Sequence, residues 1–326
     1  MPPVPFTILS GWLGAGKTSA LNRMLAARHG RRIAVLVNEL GRIAIDGRLI
    51  LGRGGDVLEL AGGCVCCKVD TKNDLWDGIA DVIARSAPQH VVLETTGIAE
   101  PAAILDTLAS GKLAAIARGK VVPAGVVCVV DAETGPDVLQ RREEAREQLT
   151  AADRVMISKL DLATADAAAA TRAAVRAHAP AAEAELAAFP LDDAGAMAMT
   201  AWMLERRPIR GARVRKKAGE RASAHHDHHH DGQLIAVAFA DDAPLMSDAL
   251  LEVVHALGAK LERAKGWVHV AGSESRAYLE KAGARVTLSE GDVWGSSEPR
   301  RSELVLIGDL DEAAVRRALW ACRAGG

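Results

Sequence analysis

No run of about 18 apolar residues occurs anywhere in this 326-residue chain, so nothing in it is long and greasy enough to cross a bilayer as a helix. The opening residues, MPPVPFTILSGW, lack a basic segment followed by a long apolar one, which predicts a cytoplasmic protein without a secretory leader. Neither sign of charge prevails. With 40 basic against 42 acidic side chains the formal net charge is −2, so no global field draws the chain to nucleic acid or to an anionic membrane, and partners have to be recognised locally. Cysteine is scarce and odd in number: there are five, three of them crowded between residues 64 and 67. That is a poor disulfide framework and suits a reducing compartment where thiols bind metal. Hydrophobic residues do reach 49%, enough core for two domains. No internal repeat is visible.

What is present begins at residues 11–18, GWLGAGKT. Gly11, Gly16, Lys17 and Thr18 fit the pattern G-x-x-x-x-G-K-S/T, in which backbone N–H groups cradle phosphates, a lysine neutralises their charge and a hydroxyl ligates Mg²⁺. The amides of Gly14, Ala15 and Ser19 belong to the same cradle. An apolar run, Val4 to Leu9, precedes the loop as a buried strand, and Leu21, Met24 and Leu25 follow at helical spacing within Ser19 to His29. The loop therefore sits where a strand hands over to a helix N-terminus. Up to about residue 205, further strands are predicted at Ile33 to Val37, Val91 to Glu94, Gly125 to Val130 and Arg154 to Ser158. Helices lie between them, among them the Ala-rich Thr164 to Ala177, ending near His178 and Pro180. This alternation predicts an α/β fold: a P-loop NTPase whose mostly parallel sheet is flanked by helices.

Composition changes abruptly at residues 206–232. Arg206 to Arg221 is strongly basic, and AHHDHHHD at 224–231 holds five of the ten histidines. Residues 1–205 and 233–326 are accordingly predicted to be separate domains with a linker between them. In the second, strands are expected at Leu234 to Ala240, Gly266 to Ala271 and Glu303 to Ile307, with helices at Ser247 to Leu257 and Asp311 to Cys322, making a smaller α+β domain of usual size. The basic run has no aromatic residue for base stacking and reads as a solvated tether. The histidine tract reads either as a mobile, unselective metal-gathering arm or as a plain linker. Arg263 and Lys265 read as partner contacts or as ordinary surface charges.

A bound triphosphate needs a second acidic group at the end of a neighbouring strand for Mg²⁺, and a glycine N–H facing the γ-phosphate. Glu94 and Gly97 in VVLETTG fill those positions. In ISKLD, Asp161 can accept from the guanine N1–H and exocyclic amine, two donors that adenine lacks, while Lys159 packs along the base. Ser158 stands where GTPases usually carry asparagine. In GGCVCC, Cys64, Cys66 and Cys67 can present three sulfurs to one soft ion such as Zn²⁺, with one vertex open. Adjacent Cys66 and Cys67 would form only a strained disulfide. Cys128 and Cys322 fall in apolar patterns and are assigned to the core.

Four blocks together resemble one family, the CobW-like P-loop GTPases: GWLGAGKT, VNELG (37–41) with IDG (45–47), GGCVCC, and ETTGIAEP (94–101). LERAKGWV (261–268) and RRSELVLIG (300–308) look like the family's C-terminal domain, so the resemblance spans nearly the whole chain. It implies GTP hydrolysis with Mg²⁺, Zn²⁺ or a related divalent ion such as Co²⁺ at the cysteines, and a client metalloprotein or cofactor-synthesis enzyme that receives the ion. By the same resemblance Lys17, Thr18 and Glu94 are the catalytic positions, and Glu39 is an acidic position near metal and nucleotide. Arg42 stands where many relatives have another acidic side chain. Because no glutamine follows Gly97, turnover is expected to be slow alone and raised by a client or by homodimerisation. Delivery of cobalt for cobalamin synthesis, or of cobalt or iron to a hydratase, is the alternative within the family. Outside it stand a metal sensor or store without turnover and a small-molecule ATP-dependent kinase.

Overall fold

The computed structural model describes residues 3–38, 57–60, 83–84, 86–109, 121–179, 186–206 and 234–325. These fall in two compact units, one ending at residue 206 and the other beginning at 234. Glu39, Arg42, Cys64, Cys66, Cys67, the histidine tract and all of the basic run except Arg206 lie outside the described residues.

In the first unit the five predicted runs become β1 Val4–Ser10, β2 Ile33–Asn38, β4 His90–Glu94, β5 Val121–Asp131 and β6 Arg154–Ser158, with bounds within a few residues of those expected, and two short strands that were not expected join them, β3 Val57–Leu60 and β7 Leu186–Ala187. They form one seven-stranded sheet in the order β3-β2-β4-β1-β5-β6-β7, and every pairing is parallel. A parallel sheet is buried on both faces, so its strands read as near-continuous apolar runs. β1 and β4 do so.

One face is covered by α1 (Lys17–Ala26), whose Ala20, Leu21, Met24 and Leu25 meet Val35, Val92, Val127 and Val129 in a single core. Phe189 and Trp202 pack against the edge of that core. The helix stops at Ala26, three residues short of the expected His29. Between β4 and β5 lies α2 (Pro101–Ala109). On the opposite face stand α3 (Gly135–Arg141), α4 (Glu143–Thr150) and α5 (Ala165–His178). A Cβ added at Gly135 would lie 2.9 Å from Val130 and 3.0 Å from Thr171, which shows how tightly α3, α5 and β5 meet there. Thr164 caps α5, accepting from the Ala167 N–H at 3.2 Å. Asp192 does the same for α6 (Asp193–Leu204), accepting from the Gly195 N–H at 2.7 Å.

Pro123 lies inside central strand β5, where it offers no N–H to the ladder. The register with β1 slips there: Phe6 faces Pro123, Thr7 faces Gly125, and Ala124 is left over. The Asp153 carboxylate accepts the Val126 N–H at 2.9 Å just beyond this bulge.

The second unit is a five-stranded sheet, β11-β10-β9-β12-β8, antiparallel throughout. Its strands are β8 Ile235–Asp241, β9 Leu261–His269, β10 Ser275–Ala282, β11 Arg285–Val293 and β12 Ser302–Gly308, with helices α7 Ser247–Leu257 and α8 Glu312–Ala321. Leu250 and Val254 of α7 and Val315 and Leu319 of α8 bury against Val237, Phe239, Ala264, Val268, Leu304 and Leu306. The sheet thus exceeds the expectation by the β10–β11 hairpin, and β9 starts at Leu261 rather than Gly266. Lys265 is only 3% exposed, so it is not the surface charge its sequence suggests. On the face away from these helices, Arg276 stacks between Trp267 and Trp294, its guanidinium 5.3 Å and 5.2 Å from the ring centres.

His90 opens β4 almost fully buried, its Nε2 2.8 Å from Thr7 Oγ1. Burial first, then the charges of Arg31 and Arg154, pulls its pKa from 6.5 down to about 4. The folded imidazole is therefore neutral where the unfolded one takes a proton, so this residue's contribution is present above pH 6.5 and is lost as pH falls toward 4. Unfolding free energies of wild type and His90→Gln from urea titrations are expected to converge over that window, by at most about 1.4 kcal/mol per pH unit. A wild-type advantage independent of pH would contradict it.

Candidate phosphate and nucleotide site

Four neighbouring strands, β4, β1, β5 and β6, end side by side, and every candidate nucleotide contact within the described residues follows one of these carboxyl ends. The chain crosses from one side of β1 to the other at this point, which is where open α/β sheets place ligands.

After β1 the loop turns through backbone that side chains rarely adopt: φ is +140° at Gly11, +75° at Gly14 and +95° at Gly16. A Cβ at Gly11 would sit 2.3 Å from the Val129 carbonyl oxygen, so β5 leaves no room for one. The Ala15 N–H donates to the Trp12 carbonyl at 3.1 Å, and Gly16 accepts from the Ala20 N–H at 2.9 Å as α1 begins. Lys17 is 4% exposed. Its Nζ donates to the carbonyls of Gly11 at 2.7 Å and Trp12 at 3.1 Å, which holds the ammonium inside the curl of the loop. Ser19 is exposed in the first turn of α1.

Thr18 Oγ1 donates to Glu94 Oε1 at 2.7 Å, across 76 residues of sequence. A hydroxyl and a buried carboxylate brought together at the phosphate loop are a donor set that hard Mg²⁺ accepts, so the residues present fit that ion. Behind Glu94, Thr95 is tied to β1, donating from its N–H to the Leu9 carbonyl at 2.9 Å. Gly97 then passes over the phosphate loop. A Cβ built on it would lie 2.5 Å from Leu13 Cδ2 and 2.7 Å from the Leu13 nitrogen. Only glycine permits that approach.

At the end of β6, Ser158 Oγ donates to the Ala15 carbonyl at 2.6 Å, so its hydroxyl braces the phosphate loop. Lys159 has φ of +56°, and its Nζ pairs with Asp131 Oδ2 at 2.7 Å. Asp131 is nearly buried at the end of β5, and its other oxygen accepts the Glu133 N–H at 2.8 Å. Asp161 is exposed two residues beyond Lys159. The structure thus brings together Lys17, Thr18 and Glu94 on one side and Ser158, Lys159 and Asp131 on the other.

Two residues here escaped the sequence reading. Asp131 had one available signal, an acidic residue closing a long apolar run. Gln148, on α4, had none that periodicity reveals. Cys128 lies beneath the loop, fully buried, and burial pushes its thiol up to about 12, which makes it an inert core residue. Cys322, just past α8, is buried as well. Among the described residues no group of three or more His, Cys, Asp or Glu side chains is arranged to hold a metal ion, and no helix is long and apolar enough to cross a membrane.

The profile described as CobW/HypB/UreG, nucleotide-binding domain, matches residues 5–186, and that of the cobalamin synthesis protein cobW C-terminal domain matches residues 234–323. The chain is 29% identical over 350 residues to the zinc chaperone CobW of a Sinorhizobium species, covering 98% of this chain and 97% of that one. It is 30% identical over 362 residues to the zinc chaperone CobW of Pseudomonas aeruginosa, covering 97% and 90%. The crystal structure of Zn(II)-bound YjiA GTPase from E. coli aligns over 99% of this chain and 100% of that one, with 23% identity and a TM-score of 0.43. The chain belongs to the CobW/HypB/UreG family of nucleotide-binding proteins and carries the CobW C-terminal domain.

Proposed function

We propose that this protein is a cytoplasmic GTPase that carries Zn²⁺, or a related divalent ion, to a client metalloprotein or cofactor-synthesis enzyme. The observation that carries the reading is the contact between Thr18 Oγ1 and Glu94 Oε1 beside a loop-enclosed Lys17. The zinc-chaperone names of two relatives matched nearly end to end support the choice of cargo.

In this reading residues 1–205 bind nucleotide, 206–232 link and 233–326 face a partner. The amides of Gly11, Gly14, Ala15, Gly16, Lys17, Thr18 and Ser19 hold the phosphates, and the Lys17 ammonium neutralises their charge. Thr18 and Glu94 would hold Mg²⁺, which would supply positive charge to offset that of the phosphates. The Gly97 amide meets the γ-phosphate. Asp161 reads guanine through its two N–H donors while the Lys159 stem lies along the base, its ammonium fixed by Asp131. Because Ser158 spends its hydroxyl on Ala15, base selection falls to Asp161. With no glutamine after Gly97 to orient water, turnover is slow.

Cys64, Cys66 and Cys67, with Glu39 as a further ligand, take the metal. Two facts of connectivity support a link between metal and nucleotide. Glu39 follows β2 two residues after Val37, the register partner of Glu94. Cys64 follows the last residue of β3, Leu60, by four positions, and β3 runs parallel to β2, so the carboxyl ends of the two strands lie at the same end of the sheet. A change at the γ-phosphate can thereby reach the segment that holds the ion.

Metal analysis of protein purified without an affinity column is expected to find about one Zn²⁺ per chain in wild type and almost none when Cys64, Cys66 and Cys67 are all serine. Equal metal in both would remove the cysteine seat. Phosphate release from GTP should be abolished by Lys17→Ala, whereas undiminished release would place the chemistry elsewhere. Asp161→Asn is expected to weaken GTP at least tenfold, since an amide replaces the double acceptor with one donor and one acceptor. An unchanged preference for GTP over ATP in that variant would refute its role as base reader.

A further inference from the structure

Helix α4, Glu143–Thr150, turns Ala145, Gln148 and Leu149 inward. Positions 145, 148 and 149 are the i, i+3, i+4 set that a short packed helix fills with apolar side chains. Gln148 is the exception: it is 1% exposed, and burying an amide is costly unless its hydrogen bonds are made. Its Nε2 donates to the Gly97 carbonyl at 2.9 Å and to the Ala99 carbonyl at 3.0 Å. Because both partners are acceptors, the amide can be oriented only one way, with nitrogen toward them. Oε1 is buried with no hydrogen-bond partner among the described residues. Gln148 is therefore present for its donors.

Both carbonyls belong to the segment between Glu94 and α2, whose Gly97 lies against Leu13 of the phosphate loop. The same helix meets that loop directly. The Arg142 guanidinium, at the N-cap of α4, lies 5.9 Å from the centre of the Trp12 ring. Ala145 lines a small apolar pocket together with Trp12 and Leu13. One helix thus bears on both pieces of backbone that surround a terminal phosphate, and Gln148 fixes one of them from behind.

We propose that Gln148 is a positioning residue for the triphosphate state. By holding the Gly97 and Ala99 carbonyls it fixes the backbone that follows the Gly97 N–H and so keeps that N–H placed for the γ-phosphate, and it passes the difference between tri- and diphosphate occupancy into α4. This rests on the reading of the chain as a GTPase. It touches no reacting atom. Its effect falls on the γ-phosphate alone, because the β-phosphate is held by the loop amides and Lys17.

The test uses the full chain and two variants. Gln148→Met keeps length and burial but removes the donors, and Gln148→Glu turns carboxylate oxygens toward two carbonyls. Affinities for GDP and for a non-hydrolysable GTP analogue are measured with Mg²⁺ present, together with kcat for GTP hydrolysis. The Met variant is expected to lose at least tenfold in analogue affinity and in kcat while GDP affinity stays within twofold, and the Glu variant to lose more. Equal loss for both nucleotides, or no loss for the analogue, overturns the proposal. In wild type, amide exchange over residues 97–99 is expected to slow at least tenfold on replacing GDP by the analogue, a readout that survives even if the variants do not fold. No difference there also overturns it. Wild-type protein that binds neither nucleotide would instead overturn the GTPase reading on which this one stands.

Discussion

The structure depends on a contact with no side chain on one of its members: the Gly97 backbone against the backbone and side chain of Leu13. That approach draws the segment behind β4 onto the loop behind β1. Thr18 and Glu94 then come within a hydrogen bond although 76 residues separate them. The parallel pairing of β1 with β4 sets the coarse distance, and the missing Cβ sets the fine one. Glycine costs backbone entropy wherever it stands, so such a position is retained for the closeness it permits.

Around that contact, charge and burial are balanced by short-range partners. Lys17 is enclosed by the carbonyls of its own loop, and Lys159 is met by Asp131. Ser158 ties the end of β6 to the loop after β1 through the Ala15 carbonyl. Pre-arranged donors and charges of this kind cost little reorganisation when a polyanion arrives, and electrostatic catalysis of phosphoryl transfer depends on that economy.

Much of this was legible in the chain because it is local. GWLGAGKT announces its loop through glycines whose positive φ the structure bears out, and β1, β2, β4, β5 and β6 were visible as apolar runs that a doubly covered parallel sheet requires. Seven other features were hidden, for five physical reasons. β3 has four residues and β7 two, too short to show a period. β11 alternates only over Arg285–Ser289 and is largely exposed beyond it, too short a signal to stand out as a half-buried strand. Gln148, in EEAREQLT, reads as one more polar residue on a surface helix, and only tertiary contact turns it inward. Lys265 and His90 are buried polar groups whose burial is imposed by neighbours far off in sequence. Asp131 was overlooked because a strand-ending aspartate is commonplace, and its meaning comes from Lys159, 28 residues later.

The proposed coupling between nucleotide and a metal held by Cys64, Cys66 and Cys67 is tested most directly by titrating Zn²⁺ into full-length protein held with Mg²⁺ and either GDP or a non-hydrolysable GTP analogue. Linkage predicts Zn²⁺ affinities that differ at least about fivefold between the two nucleotide states, with Zn²⁺ shifting the ratio of the two nucleotides' affinities by the same factor. Identical Zn²⁺ affinities in both states would contradict nucleotide gating.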